Sequence, residues 1–265
     1  MTKSNLQRSH SNELLAHDIK EIFTKLFDDA RNRDEFEFCC TLLRFRGLED
    51  QGWDPLRESS ELIQQMLASI ASPIVESFRI RQILFLYCHI TEMHDLYHVV
   101  ANMLMVTAGH RYNLNCFSGK TAIAQKPANY PNSKAINIEI WAHANGIPKL
   151  GLLFGDLVVN EVRNAFFHSD YILTPDSFNI RRGQGVKIGN VIDPKVKLEW
   201  LIPRLQLGIN IGLGLISFVQ SSIASYEANK TVKTRFYGDN APFGEMELTT
   251  NPGHGLTGFR SPLKG

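Results

Sequence analysis

Three side chains able to do chemistry at a phosphate stand close together in VRNAFFHSDYIL, residues 162 to 173: Arg163, Asn164 and His168. An imidazole, with an ordinary pKa near about 6.5, takes or gives a proton at neutral pH. A guanidinium presents a rigid fork of donors that matches phosphate oxygens. The asparagine carboxamide orients a neighbour or donates a further bond. At about 100° per residue, Asn164 and His168 lie one turn apart on one helical face, and Arg163 lies beside it, long enough to bend in. Such a set suits transesterification of RNA. Histidine would take the 2′-hydroxyl proton or protonate the leaving 5′-oxygen, a role worth about 10²–10⁴-fold. Arginine would stabilise the charge building on the phosphorus oxygens. One histidine does not easily serve both transfers, so two chains meeting about a two-fold axis are expected to supply a pair. That chemistry needs no metal and no other cofactor. The competing expectation is structural: Arg163 pairs with a nearby acid such as Glu161 or Asp170, and His168 bonds a carbonyl at the helix end.

The stretch RNAFFHSDY resembles the Arg-Asn-x-x-x-His signature of HEPN domains, small helical proteins that often act as metal-independent ribonucleases. The resemblance implies a HEPN-like helical bundle in which Arg and His from both subunits of a dimer line one cleft. Arg163 and His168 would then be catalytic, and Asn164 the polar companion. It also implies a hydrolase setting of toxin–antitoxin or antiviral defence, with RNA as substrate and an antitoxin or other regulatory protein as a further partner. The alternative within the same resemblance is a non-catalytic module that binds RNA, a nucleotide or a partner protein. In one HEPN toxin group a tyrosine two residues after the histidine is modified by the antitoxin; here Tyr171 is three residues after His168.

Two further groups carry chemistry. Arg181, Arg182 and Lys187, with Lys195 and Lys197, follow the motif and could hold phosphates beside the cleavage site. They could equally be the charged edge of a solvated hairpin. CHITEMHDLYH contains His89, Glu92, His94, Asp95 and His98. His94 and His98, at i and i+4, have a spacing able to hold a divalent metal if His110 or His143 supplied a third ligand. The ordinary reading is histidines on a half-buried bundle helix, one of which could border the Arg163 cleft. Trp53, Trp141 and Trp200 are expected in the core, and NPGHGLTGF is expected to be a turn rather than a phosphate loop.

The elements that must position these groups are mostly helical. Apolar residues recur every three to four positions in ELLAHDIKEIFTKLFDDA and in SELIQQMLASI, with a short helix in DEFEFCCTLLRF between them. Ser72 and Pro73 are expected to open a long helix from Ile74 to about Ala108. Residues 109 to 148, with Pro127, Pro131, Pro148 and several asparagines, predict a long irregular connection. A helix follows over about 150 to 168. Tyr171–Leu173 and Phe178–Ile180 around Thr-Pro-Asp-Ser predict a small β-hairpin, within about 171 to 191. A helix over about Leu198 to Glu227 comes next. The expected fold is therefore mainly α: a helical domain over residues 1–230 and a short β-containing C-terminal extension over 231–265.

Composition sets the remaining bounds. With 265 residues and 43% hydrophobic residues the chain can bury a real core, and a formal net charge of +1 advertises no strong field toward nucleic acid or membrane. Cys39, Cys40, Cys88 and Cys116 have no Cys-x-x-Cys spacing and predict buried thiols in a reducing compartment. With no secretory pattern in MTKSNLQRSHSNELL, a cytoplasmic protein is expected. Leu205 to Tyr226 carries no charge, but its glycines and polar residues predict a core or dimer helix rather than a membrane span. Gly208 and Gly212 would let a neighbouring backbone approach closely there.

Overall fold

The structure, a computed structural model, describes residues 16–46, 55–235 and 243–261. Trp53 lies outside them. Five helices come first: α1 (Ala16–Arg33), α2 (Glu35–Arg46), α3 (Pro55–Ala71), α4 (Glu76–Glu92) and α5 (His94–Thr107). Then come α6 (Pro131–Ala144), α7 (Pro148–Gly155) and α8 (Asn160–Phe167). Short strands β1 (Tyr171–Leu173), β2 (Ser177–Ile180), β3 (Val186–Ile188), β4 (Val191–Asp193) and β5 (Lys195–Lys197) lead into the long α9 (Leu198–Ala224). Strands β6 (Lys230–Arg235), β7 (Phe243–Asn251) and β8 (Gly255–Arg260) close the chain. The fold is mainly helical, with small sheets after the motif helix and at the C-terminal end.

Helix α9 packs against α4, α1 and α2, and approaches α4 closely at two positions that carry no side chain. A Cβ on Gly208 would fall 2.6 Å from the Tyr87 ring, and one on Gly212 would enter Ile90. Both contacts are with α4 of the same chain, so the Gly208/Gly212 face is spent inside the core rather than offered to a second copy. On other sides Phe218 meets Phe23 and Phe27 of α1 at ring distances of 5.8 and 5.6 Å. Helix α9 is long and apolar enough to cross a membrane by length and composition, and half of its most apolar window is buried inside the protein. Pro203 sits within it, where the bond that an N–H would give to the Glu199 carbonyl is missing. Helix α5 is buried nearly all round, from Val99 to Val106. The four cysteines are free, and burial pushes the thiols of Cys39, Cys88 and Cys116 up to about 12.

Three expected elements differ. The single helix expected over about 150 to 168 is two, α7 and α8, with a turn over 156–159 between them. The helix expected from Ile74 to Ala108, with Ser72 and Pro73 as its opening, instead begins at Glu76, with Val75 as its N-cap. It is broken at Met93, whose ψ of 92° lies outside the helical region. Hydrogen bonds from Met93 N to Ile90 O and from the Tyr97 hydroxyl to Thr91 O absorb carbonyls that the break frees. Periodicity did not reveal it, because both halves bury apolar residues. The irregular connection contains α6, which begins at Pro131 as its first residue. Proline there is a helix opener, since that position has no intrahelical use for an N–H.

Strands β1, β2 and β5 form an antiparallel sheet with β2 in the middle, and β3 pairs with β4. The C-terminal strands form the antiparallel order β6-β7-β8, with the NPGHG segment as the β7–β8 turn. This meander is docked on the helical body. Phe36 of α2 meets Phe259 at 4.9 Å, Lys230 pairs with Glu35 at 2.6 Å, and Arg111 donates to the Arg235 carbonyl at 2.7 Å. Gly255 has φ of +77° and lies against the Ile223 carbonyl, where a Cβ would collide with backbone. Gly255→Ala is therefore expected to lower stability by about 2–4 kcal/mol, through the left-handed φ and the overpacking together. Chemical denaturation checks it; a loss below about 0.5 kcal/mol would show that the meander does not need this approach.

Candidate functional site

Helix α8 carries the Arg-Asn-x-x-x-His motif, and each of its ends is fixed by a specific device. At the entry, the fully buried Tyr87 hydroxyl accepts from Val159 N and donates to Leu157 O, both at 2.8 Å. This pins the α7–α8 turn to α4. Burial pushes the Tyr87 phenol well above its usual range. Val162 and Ala165 then face the core. At the exit, Asp170 N bonds Ala165 O at 2.8 Å, Ser169 N bonds Phe166 O at 3.2 Å, and Ser169 holds φ of +55°. That is a Schellman closure, with serine in the place usually given to glycine. It leaves His168 as the C-cap, its ring exposed at the end of the helix.

Arg163 turns the other way. It is 8% exposed, and its Nη1 meets Glu92 Oε1 at 2.6 Å. Its Nη2 donates to Asn164 Oδ1 at 2.8 Å and to Asn160 Oδ1 at 3.3 Å. The buried Nε has no hydrogen-bond partner among the described residues. Asn160, Arg163 and Asn164 share the face of α8 toward α4, as i, i+3 and i+4 positions must. Glu92 is the last residue of α4, directly before the Met93 break. The acid that holds Arg163 is thus neither Glu161 nor Asp170. Glu92 stands in CHITEMHDLYH among the histidines weighed as metal ligands, on another face from His94 and His98, and nothing local coupled it to Arg163, 71 positions later.

The structure joins Arg163 and Asn164 by a side-chain hydrogen bond, and His168 stands exposed at the C-cap one turn after Asn164. Around Glu92 stand more charges. Lys134 of α6 is 3% exposed, with its ammonium 5.6 Å from the Phe117 ring centre. Burial lowers its pKa, an effect that the Cys116 thiol and the Asp95 and Glu92 carboxylates oppose. Burial and the Lys134 charge lower that of His94. Lys134 escaped the sequence reading because α6 itself did.

The histidines of α4 and α5 do not converge. His98 packs edge-on to Phe117 at 5.2 Å, and its Nδ1 is 3.7 Å from Cys116 Sγ. His89 Nε2 is buried with no hydrogen-bond partner among the described residues, and burial lowers its pKa. His110 lies against Trp141 at 5.8 Å and His143 against Gly151. Among the described residues no group of three or more His, Cys, Asp or Glu is placed to hold a metal ion.

The basic residues divide. Asp170, two positions after His168, accepts the Arg181 backbone N–H at 2.8 Å and lies 3.5 Å from Arg182 Nε. Arg181 and Arg182 therefore stand beside the His168 turn, with the Arg182 side chain 84% exposed. Lys187 instead lines a cleft at the other end of α8. Lys197 is engaged by Asp176 at 2.7 Å.

No protein-family model matches the chain, and no curated protein or solved structure is significantly similar to it.

Proposed function

We propose that the protein is a metal-independent endoribonuclease of HEPN type, acting as a homodimer in the cytoplasm, with a toxin or antiviral-defence effector as its setting. The observation that carries this reading is the construction of α8. Its Arg163 is oriented by Asn160 and Asn164 of the same helix, and its His168 is displayed bare at an exposed cap flanked by Arg181 and Arg182.

In the reaction His168 of one copy removes the 2′-hydroxyl proton as that oxygen attacks phosphorus. The P–O5′ bond breaks, and the leaving oxygen takes a proton from His168 of the second copy. Arg163 stabilises the charge on the non-bridging oxygens, once a phosphate oxygen replaces the Glu92 carboxylate at its Nη1. RNA and the second copy are the partners this requires; no cofactor takes part, and no membrane.

A second reading is favoured by one specific observation: Arg163 is already satisfied inside the chain by a 2.6 Å ion pair and two asparagines. On that reading the motif is an internal brace, and the protein binds RNA, a nucleotide or a protein without cutting.

The two separate on labelled RNA incubated with purified protein in EDTA. Cleavage should persist and leave 2′,3′-cyclic phosphate ends, and light scattering at micromolar concentration should give a dimer. Absence of cleavage, or activity abolished by chelator and restored by Zn²⁺ or Mn²⁺, would overturn the first reading.

A further inference from the structure

A cleft of about 400 Å³ opens between α6, the α7–α8 turn, strand β3 and the first turns of α9. That volume lies in the range of ligand pockets, about 300–1,000 Å³. Two of its lining residues stack: the Arg204 guanidinium lies over the Trp200 indole, 3.8 Å from the ring centre, with a 2.9 Å bond to the Trp200 carbonyl. Val158 and Val186 give it an apolar wall. Glu139, Asp156 and Glu161 face it with three carboxylates, against two cations from Lys187 and Arg204.

That balance disfavours a phosphate inside the cleft. It favours a flat group that stacks on a guanidinium and offers N–H donors to carboxylates. A nucleobase with an exocyclic amino group is such a group, and guanidinium planes are ordinary stacking partners for unpaired bases.

The position of the cleft relative to the motif is fixed by helix geometry. Glu161 and His168 are seven residues apart, which places them on one face of α8, about 10 Å apart along its axis. Arg163 lies toward α4, paired with Glu92, and joins the scissile phosphate only when that pair opens. A single strand lying along the face of Glu161 and His168 would pass from Arg182 and His168 at one end to Lys187 and the cleft at the other. Lys187 is exposed at the rim, placed for a backbone phosphate rather than for the base.

We infer that this cleft is a base-recognition subsite for single-stranded RNA, taking an adenine, cytosine or guanine near the scissile phosphate and excluding uracil. Adenine and cytosine present an exocyclic amine, and guanine an amine with its N1–H, to Glu139 and Glu161. Uracil has only N3–H to give, between two carbonyls that face the same carboxylates. The inference names the substrate preference of the ribonuclease reading and rests on that reading for its role, although binding itself does not depend on cleavage.

The test uses the full chain and free nucleosides, followed by isothermal titration. Adenosine and cytidine should bind at least about tenfold more tightly than uridine. Glu139→Gln with Glu161→Gln should erase the preference, and Arg204→Met should weaken all nucleosides by about tenfold by removing the stacking plane. Melting curves accompany every variant. If Arg204→Met does not fold, the exposed Glu161→Gln alone must still narrow the preference. Equal binding of all four nucleosides, no binding at millimolar concentration, or capture of spermidine in place of every nucleoside would overturn the inference. Nucleoside binding without RNA cleavage would uphold the subsite and sink the ribonuclease. Cleavage indifferent to the neighbouring base, with no nucleoside binding, would do the reverse.

Discussion

Replacing His168 by alanine is expected to cut RNA cleavage by about two orders of magnitude or more while leaving RNA binding little changed. The imidazole is exposed at the cap of α8, so its loss removes a proton-transfer group without opening the core. The helix end stays closed, because the bonds from Ser169 and Asp170 to Phe166 and Ala165 are backbone to backbone. Melting temperature should accordingly move little. Arg163→Ala behaves differently. It removes the group expected to contact phosphate before and during reaction, and it also leaves Glu92, Asn160 and Asn164 without their shared donor. Binding, cleavage and stability should all fall. Cleavage rate, RNA affinity and melting temperature must come from one preparation. If His168→Ala lowered stability and left cutting unchanged, the histidine would be structural and the ribonuclease reading would fail.

The largest stability effect of a single-atom change is expected at Tyr87. Tyr87→Phe keeps the ring that packs against Gly208 and removes only the hydroxyl. That hydroxyl is the partner of both Val159 N and Leu157 O, on the buried turn that launches α8. The two buried groups left unpaired cost about 1–3 kcal/mol each, which together, for a chain of this size, lowers the melting temperature by roughly 4–12 °C. Because the same turn fixes α8, cleavage should fall together with stability and recover at lower temperature. A melting temperature within about 2 °C of the parent would show that the turn is held by something else.

The helices that carry a simple apolar stripe were legible in the chain itself. Ile19, Ile22, Phe23 and Leu26 mark α1, and Ile63 and Met66 mark α3, because a helix with one buried face repeats its apolar residues at its own period. The first hairpin was legible for another reason: Thr174, Pro175, Asp176 and Ser177 encode a turn locally, and β1 and β2 pair across it from Leu173 to Phe178. Local chemistry also marked Arg163, Asn164 and His168 as a set, since their types and spacing are properties of a few consecutive residues.

What required the third dimension was everything set by partners far away in sequence. The break at Met93 left no mark on periodicity, because α4 and α5 both bury apolar residues, and α5 does so nearly all round. Helix α6 was hidden because its apolar residues fall on more than one face: Ile138 is buried, while Ile136 and Ile140 are exposed. The choice of Glu92 over Glu161 or Asp170 was decided by where α4 ends against α8, a distance no local pattern contains. The glycines of α9 announced a close approach in the sequence, but only packing decided that the neighbour is α4 of the same chain, through Tyr87 and Ile90. Residue types and short spacings therefore fixed which groups could do chemistry and which segments would coil. Tertiary packing alone decided which way each group faces, because a side chain's direction depends on what fills the space on its other side.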